Sequence, residues 1–176
     1  MGFLAQFDGF DASSLGLLQR VLLVTDGTLT DTLEAAFLEP IGLRKIALNI
    51  RSAPAAIDEL EIPAGAPLLD RKIVLYGENS ARTYVYAESL LALDRLPPAF
   101  REELMRSNTP MGRLWSEYKL ETWKELLSVG RHPMDKVAAY LGSAAGDCLV
   151  RRYRLISGGR PLMIIEEHFP ARYGPE

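Results

Sequence analysis

A chain of 176 residues, 48% apolar and 24% charged, is long enough to bury a substantial core, and we expect a single domain over residues 1–176. A net charge of −3 offers no basic footprint for nucleic acid. No apolar run approaches the roughly 18 residues of a membrane span, and the single cysteine, Cys148, excludes an internal disulfide and fits a reducing cytoplasm.

Taken in chain order, "MGFLAQFDGFDASS" lacks the basic start and apolar stretch of a signal peptide, and Gln6 stands where a Gly2 lipidation motif wants Ser or Thr. "SSLGLLQRVLLVTDGTLTDTLEAAFLEPIG" reads as helix, turn, helix. Thr28 is placed to cap the second helix, Asp31 lies near its positive end, and Leu29, Leu33 and Phe37 share a face. After Gly42 the period shortens to two, and "LRKIALNIR" puts Ile46, Leu48 and Ile50 on one side of a strand. A Pro- and Ala-rich connection leads to "RKIVLYG" and "TYVYAESLL", a hairpin around Glu78-Asn79-Ser80. In "LPPAFREELMRS" prolines precede a short helical pattern. "TPMGRLWSEYKLETWKELLSVGR" is compatible with helix or strand, and "HPMDKVAAYLGSAAGD" with a short helix. "RRYRLISGGRPLMIIEEHFP" closes the chain as a hairpin whose Gly158-Gly159 turn exploits the tolerance of glycine for positive φ. Strands outnumber long helices and hairpin links favour antiparallel pairing, so the expected fold class is α+β: an antiparallel sheet with helices packed on it.

Several chemistries find no support. His132 and His168 are the only histidines, far apart and without metal-ligand spacing, so no metal site is expected. "VTDGTLTD" holds one glycine and none of the phosphate-cradling motifs. Cys148 precedes an apolar strand, where a thiol behaves as a small buried hydrophobe. Trp115, Tyr118 and Trp123 lack basic interleaving and read as core. Arg71 and the twin glutamates remain. Alternation puts Arg71 on the face of Ile73 and Leu75, Glu166 with Leu162 and Ile164, and Glu167 with Met163, Ile165 and Phe169. Both faces of the last strand are apolar, so periodicity does not choose the inward glutamate. The plain reading is a salt bridge at a strand end. The other is a ligand site, since a buried charge needs a partner.

The chain resembles the chorismate lyase family, enzymes that split chorismate into 4-hydroxybenzoate and pyruvate. "LLVTDGTLTDTLEAAF" resembles the family's Asp-x-Met-Thr helix region, "DRKIVLYG" its Arg-Glu-(Val/Ile) strand, and "NTPMGRLW" its Thr-Pro-Leu-Gly-Arg. "YVYAESLL" also matches, and "SGGRPLMIIEEHFP" resembles the closing Gly-Lys-Pro-Leu-Leu-Leu-Thr-Glu-x-Phe-x-Pro. The motifs occur in family order over residues 22–170. Leu29 and Met111 exchange the family's Met and Leu, and the stretch around His132–Asp147 is longer than in the classical enzymes.

The resemblance implies an antiparallel sheet whose flap-like segments close over a buried ligand, and a cytoplasmic lyase needing neither metal nor organic cofactor. Its product would be an aromatic precursor for quinone or related biosynthesis. It implies that Arg71 pairs with the ring carboxylate, supported by backbone amides near Leu29 and Met111. Counted back from Pro170, the essential glutamate falls on Glu166, acting at the ether-oxygen end as acid or hydrogen-bond donor. Glu167 would then be structural or exposed. Arg151 and Arg152 match paired family arginines and are read as strand charges. The competing readings are a lyase acting on a modified chorismate and a non-enzymatic binder of aromatic acids. The second arises because the same fold type serves as the effector-binding domain of bacterial transcription regulators. Those domains follow a winged helix, whereas 20 residues precede "VLLVTD" here.

Overall fold

The computed structural model describes residues 11–134, 137–142 and 146–173. The alternating stretches become strands β1 (Ile41–Ser52), β2 (Pro67–Gly77), β3 (Thr83–Ala92), β4 (Trp123–Pro133), β5 (Asp147–Ser157) and β6 (Arg160–Pro170). They join in one antiparallel sheet of six strands, in the order β1-β2-β3-β6-β5-β4. The β2–β3 hairpin turns through Glu78-Asn79-Ser80 as expected. The β5–β6 hairpin turns on Gly158 and Gly159, at φ of 55° and 75°. Two consecutive positive φ values make the tight turn whose twist matches that of the strands. Pairing of β3 with β6 then brings the two hairpins side by side.

Helices α1 (Leu17–Val24), α2 (Leu29–Phe37), α3 (Pro98–Arg106) and α4 (Met111–Glu117) cover one face. Leu22, Leu23 and Leu33 of α1 and α2 pack on Leu43, Leu75, Val85 and Phe169, whereas Phe100, Leu104 and Leu114 of α3 and α4 pack on Leu69, Leu91, Tyr153 and Met163. Helix α5 (Ala138–Leu141) lies on the opposite face, where Val137 and Leu141 bury Val74, Tyr86, Cys148 and Val150. The helix belongs to the His132–Asp147 stretch, whose described residues cover that second face. Residues 135–136 and 143–145 of the expected short helix, and the whole N-terminal stretch over residues 1–10, lie outside the described residues.

Three details depart from simple periodicity. A bulge at Ile46 shifts the register of β1, so Ile46 packs with the α5 cluster while Leu48 joins the α3–α4 cluster, and Ile50 is exposed. The stretch compatible with helix or strand becomes both. Pro110 starts α4, and Lys119, at φ 49°, turns the chain into β4. Trp115 and Tyr118 pack on Phe100 as core aromatics, but Trp123, on an edge strand, is 62% exposed. Among the described residues no helix is long and apolar enough to cross a membrane.

Candidate active site

Arg71 sits in the middle of β2, opposite Ser89 of β3, and is only 3% exposed. Its Nε and Nη2 are buried and have no hydrogen-bond partner among the described residues. Burial alone pushes its pKa down to about 10. An unanswered guanidinium in an apolar interior costs several kcal/mol by order of magnitude, which the fold tolerates where a ligand supplies the anion. Among the described residues Arg71 does not form the salt bridge of the plain reading. It opens instead into a cavity of about 440 Å³ between the sheet and helices α2 and α4, lined by apolar Ile73, Ala87, Met111, Trp115, Leu155 and Ile165.

The twin glutamates separate across the sheet. Cross-strand partners share a face, and Arg71, Ser89 and Ile165 form one such row. Glu167 lies two residues beyond Ile165 and therefore faces the cavity, 5% exposed. Glu166 faces away: it lies 3.1 Å from His168 Nε2 and 3.4 Å from Arg152 Nη1, and it does not line the cavity. Those partners, His168 foremost, hold the Glu166 carboxyl below its ordinary range, opposite to what an acid needs. Glu166, expected at the ligand, is placed away from the cavity, and Glu167 lines it. Strand alternation holds here, since Glu167 shares its face with Met163, Ile165 and Phe169 as read from the sequence, and Glu166 was reached by counting the family motif back from Pro170. A bulge at Leu162, where Leu155 pairs with Met163 but Ile156 with Pro161, moves only Leu162 onto the face of Met163. One sequence signal was available. Glu167-His168-Phe169 matches the Glu-x-Phe of the family motif, whereas counting from Pro170 reaches Glu166.

Arg151, read from sequence as a strand charge, is the partner of Glu167. It is 1% exposed and directly opposite Glu167 on β5. Its Nε donates to Glu167 Oε2, and its Nη1 to the carbonyls of Leu22 and, at 3.2 Å, Thr25. The Tyr153 hydroxyl donates to Glu167 Oε1 at 2.9 Å. Burial, then the charge of Glu167, pushes the Tyr153 hydroxyl well above its ordinary pKa, which keeps it a donor.

Leu29 and Met111, the first residues of α2 and α4, both line the cavity, as does Arg71. First-turn amides have no acceptor within their own helix, so both helix starts offer free N–H groups at the cavity wall. They abut closely: a Cβ on Gly112 would stand 2.5 Å from Thr28 Cγ2. Thr30 Oγ1, also in the lining, is buried with no partner among the described residues.

A family model described as Chorismate pyruvate-lyase Rv2949c-like matches residues 23–173, which include Leu29, Arg71, Met111, Arg151, Tyr153 and Glu167. The chain belongs to that family. A protein of Mycobacterium tuberculosis strain H37Rv named chorismate pyruvate-lyase is 34% identical over 156 residues, covering 85% of this chain and 78% of the relative. A protein of that name from Mycobacterium leprae is 34% identical over 152 residues, 85% of this chain and 72% of the relative. Among solved structures, the effector domain of PhnF from Mycobacterium smegmatis superposes with a TM-score of 0.64 at 15% identity, covering 83% of this chain and 90% of that one. The C-terminal domain of the histidine utilization repressor from Pseudomonas syringae pv. tomato gives 0.57 at 17% identity, covering 77% and 96%. At such identities the likeness concerns the fold alone.

In this chorismate pyruvate-lyase family member, sequence reasoning reached Arg71, Leu29 and Met111 but missed Arg151, Tyr153, Glu167 and Lys124 as cavity residues. Lys124 enters from β4. Its Nζ donates to Thr25 O at 2.9 Å and lies 4.8 Å from the Tyr153 ring centroid. Burial, and then the charge of Arg151, lowers its pKa to about 8.

Proposed function

We propose that this protein is a lyase converting chorismate to 4-hydroxybenzoate and pyruvate, with Arg71 and Glu167 at opposite ends of the ring. The observation that carries this reading is the unpaired, buried Arg71 sharing an apolar cavity with a carboxylate held by two donors. From strand spacing and rise, the Cα atoms of the two residues stand about 12 Å apart, and their side chains converge on the space between. Arginine suits the ring carboxylate because its planar fork binds one through two parallel hydrogen bonds. The amides near Leu29 and Met111 support the same group, and Ile73, Ala87, Leu155 and Ile165 flank the ring.

The reaction breaks the bond between a ring carbon and the ether oxygen, and its electrons leave with the enolpyruvyl fragment. The neighbouring ring carbon, which bears the hydroxyl, loses its hydrogen as a proton, and that electron pair completes the aromatic ring. The proton ends on the three-carbon fragment, which becomes pyruvate. Glu167 already accepts from Arg151 and Tyr153, so its remaining capacity is as an acceptor. We therefore assign it the hydroxyl-bearing end of the ring and the departing proton, in place of the donor role expected of Glu166. Arg151 and Tyr153 position it. A cavity between the sheet and helices α2 and α4 holds the reactive conformer, which lowers the barrier by prepaid orientation. With its single cysteine buried and unpaired, the protein suits a reducing compartment, and we place the reaction in the cytoplasm.

The likeness to regulator effector domains favours a second reading, a domain that binds an aromatic acid without turning anything over. Incubating purified protein with chorismate, with and without chelator, separates them. Release of pyruvate and 4-hydroxybenzoate in equal amounts under both conditions is expected. Saturable binding without turnover would replace the lyase with the binder.

A further inference from the structure

The cavity holds more positive charge than its own carboxylates answer. Glu167 is engaged by Arg151 and Tyr153, and Arg71 awaits one carboxylate from the ligand. Lys124 remains, faced by Asp26 from the turn between α1 and α2, by Arg151 and Tyr153 of β5, and by Glu167 of β6. Its recorded acceptor is a backbone carbonyl, that of Thr25, and not a carboxylate. Arg151, though it holds Glu167 through Nε, leaves Nη2 buried and without a partner among the described residues. Both side chains stand where the main cavity meets a second chamber of about 360 Å³, and Asp26 and Trp123 line the same junction.

We infer that Lys124, with the free Nη2 of Arg151, binds a second carboxylate of the substrate, the one carried by the three-carbon enol-ether side chain. The inference rests on the lyase reading and names how its site tells substrate from product. Chorismate is a dianion, and among the described residues neither Arg71 nor Lys124 forms a salt bridge, although Asp26 and Glu167 face Lys124. The aromatic product keeps only the ring carboxylate, so it satisfies Arg71 and leaves Lys124 unpaired. Lys124 is therefore a specificity-determining residue, strong for the dicarboxylate and indifferent to the aromatic monoacid. The lowered pKa of the free amine accords with this, because a dry site disfavours the ammonium until an anion arrives.

The test uses the full chain carrying Lys124→Met, Lys124→Gln or Lys124→Arg, with chorismate kinetics and calorimetric titration of 4-hydroxybenzoate on each. Lys124→Gln keeps a donor for Thr25 and so controls for loss of the local fold, together with the melting temperature. Both neutral variants should raise the KM for chorismate by roughly 30-fold or more, the scale of a lost desolvated charge pair. The Kd for 4-hydroxybenzoate should stay within about threefold, and Lys124→Arg should restore most of the loss. Equal weakening of both ligands, or an unchanged KM, overturns the inference. If the wild-type protein binds chorismate without cleaving it, the lyase reading fails separately. The same comparison is then read from chorismate Kd values, with the same outcomes deciding.

Discussion

Arg151 and Glu167 stand directly opposite each other on β5 and β6, and the guanidinium Nε holds one oxygen of a carboxylate that Tyr153 holds by the other. This pair, at most 6% exposed, makes Glu167 a placed acceptor, while its neighbour Glu166 is spent on His168 and Arg152 across the sheet.

The two glutamates should therefore differ sharply in kinetics. Glu167→Gln preserves shape but removes the proton acceptor, and kcat should fall by roughly 10²–10⁴. Glu166→Gln should leave kcat within about threefold, because the side chain does not reach the cavity. Steady-state measurement of both variants decides the assignment. A crippled Glu166→Gln beside an active Glu167→Gln would reverse it.

Arg71 should behave as a ligand-binding charge without a structural partner. Arg71→Met ought to weaken 4-hydroxybenzoate binding by about 2–5 kcal/mol. It should also leave the melting temperature of the free protein unchanged or higher, since an unanswered buried cation is replaced by an apolar chain. Calorimetry and thermal unfolding on the same samples check both halves. Marked destabilisation of the free protein would reveal a structural ion pair instead.

The contact between the starts of α2 and α4 leaves no room at Gly112. A methyl there would press on Thr28 Cγ2 at 2.5 Å, so Gly112→Ala must push the helix ends apart. Overpacking of this kind costs about 1–3 kcal/mol, and the displaced amides should raise the KM for chorismate by roughly tenfold. Thr28→Ser removes the opposing methyl. Kinetics of Gly112→Ala/Thr28→Ser should recover most of the loss, which a mere loss of helix flexibility would not.

The back of the sheet carries a separate pH dependence. Burial lowers the pKa of His168, but hydrogen bonds with Cys148 and Glu166 outweigh it and raise the imidazole from 6.5 to about 9. A raised folded-state value means that protonated His168 stabilises the fold fully below about pH 6.5, and that this contribution is lost as pH rises through about 9. The shift corresponds to stability on the order of 3 kcal/mol. Urea unfolding between pH 6 and 10 should show this decline in the wild type and a flatter profile in His168→Gln. Parallel profiles would mean that His168 does not titrate in this window.

Local chemistry made much of this protein legible from its residues. The Gly158-Gly159 turn, the β2–β3 hairpin, the helix pair around Thr28 and the α+β class follow from short-range preferences that each segment carries by itself. Arg71 was legible as well, because a charge amid Ile73 and Leu75 on an alternating strand has to be answered by something. The choice between Glu166 and Glu167 was not, since both faces of β6 are apolar and only the packing of the helices decides which face meets the cavity. Arg151 looked like any strand arginine until β5, β6 and the end of α1 were brought together around its guanidinium. Lys124 lay in a stretch compatible with two structures, and only the assembled sheet turned it toward the cavity. Face and partnership across strands are long-range properties: they depend on register, and register is decided by the whole sheet packing at once.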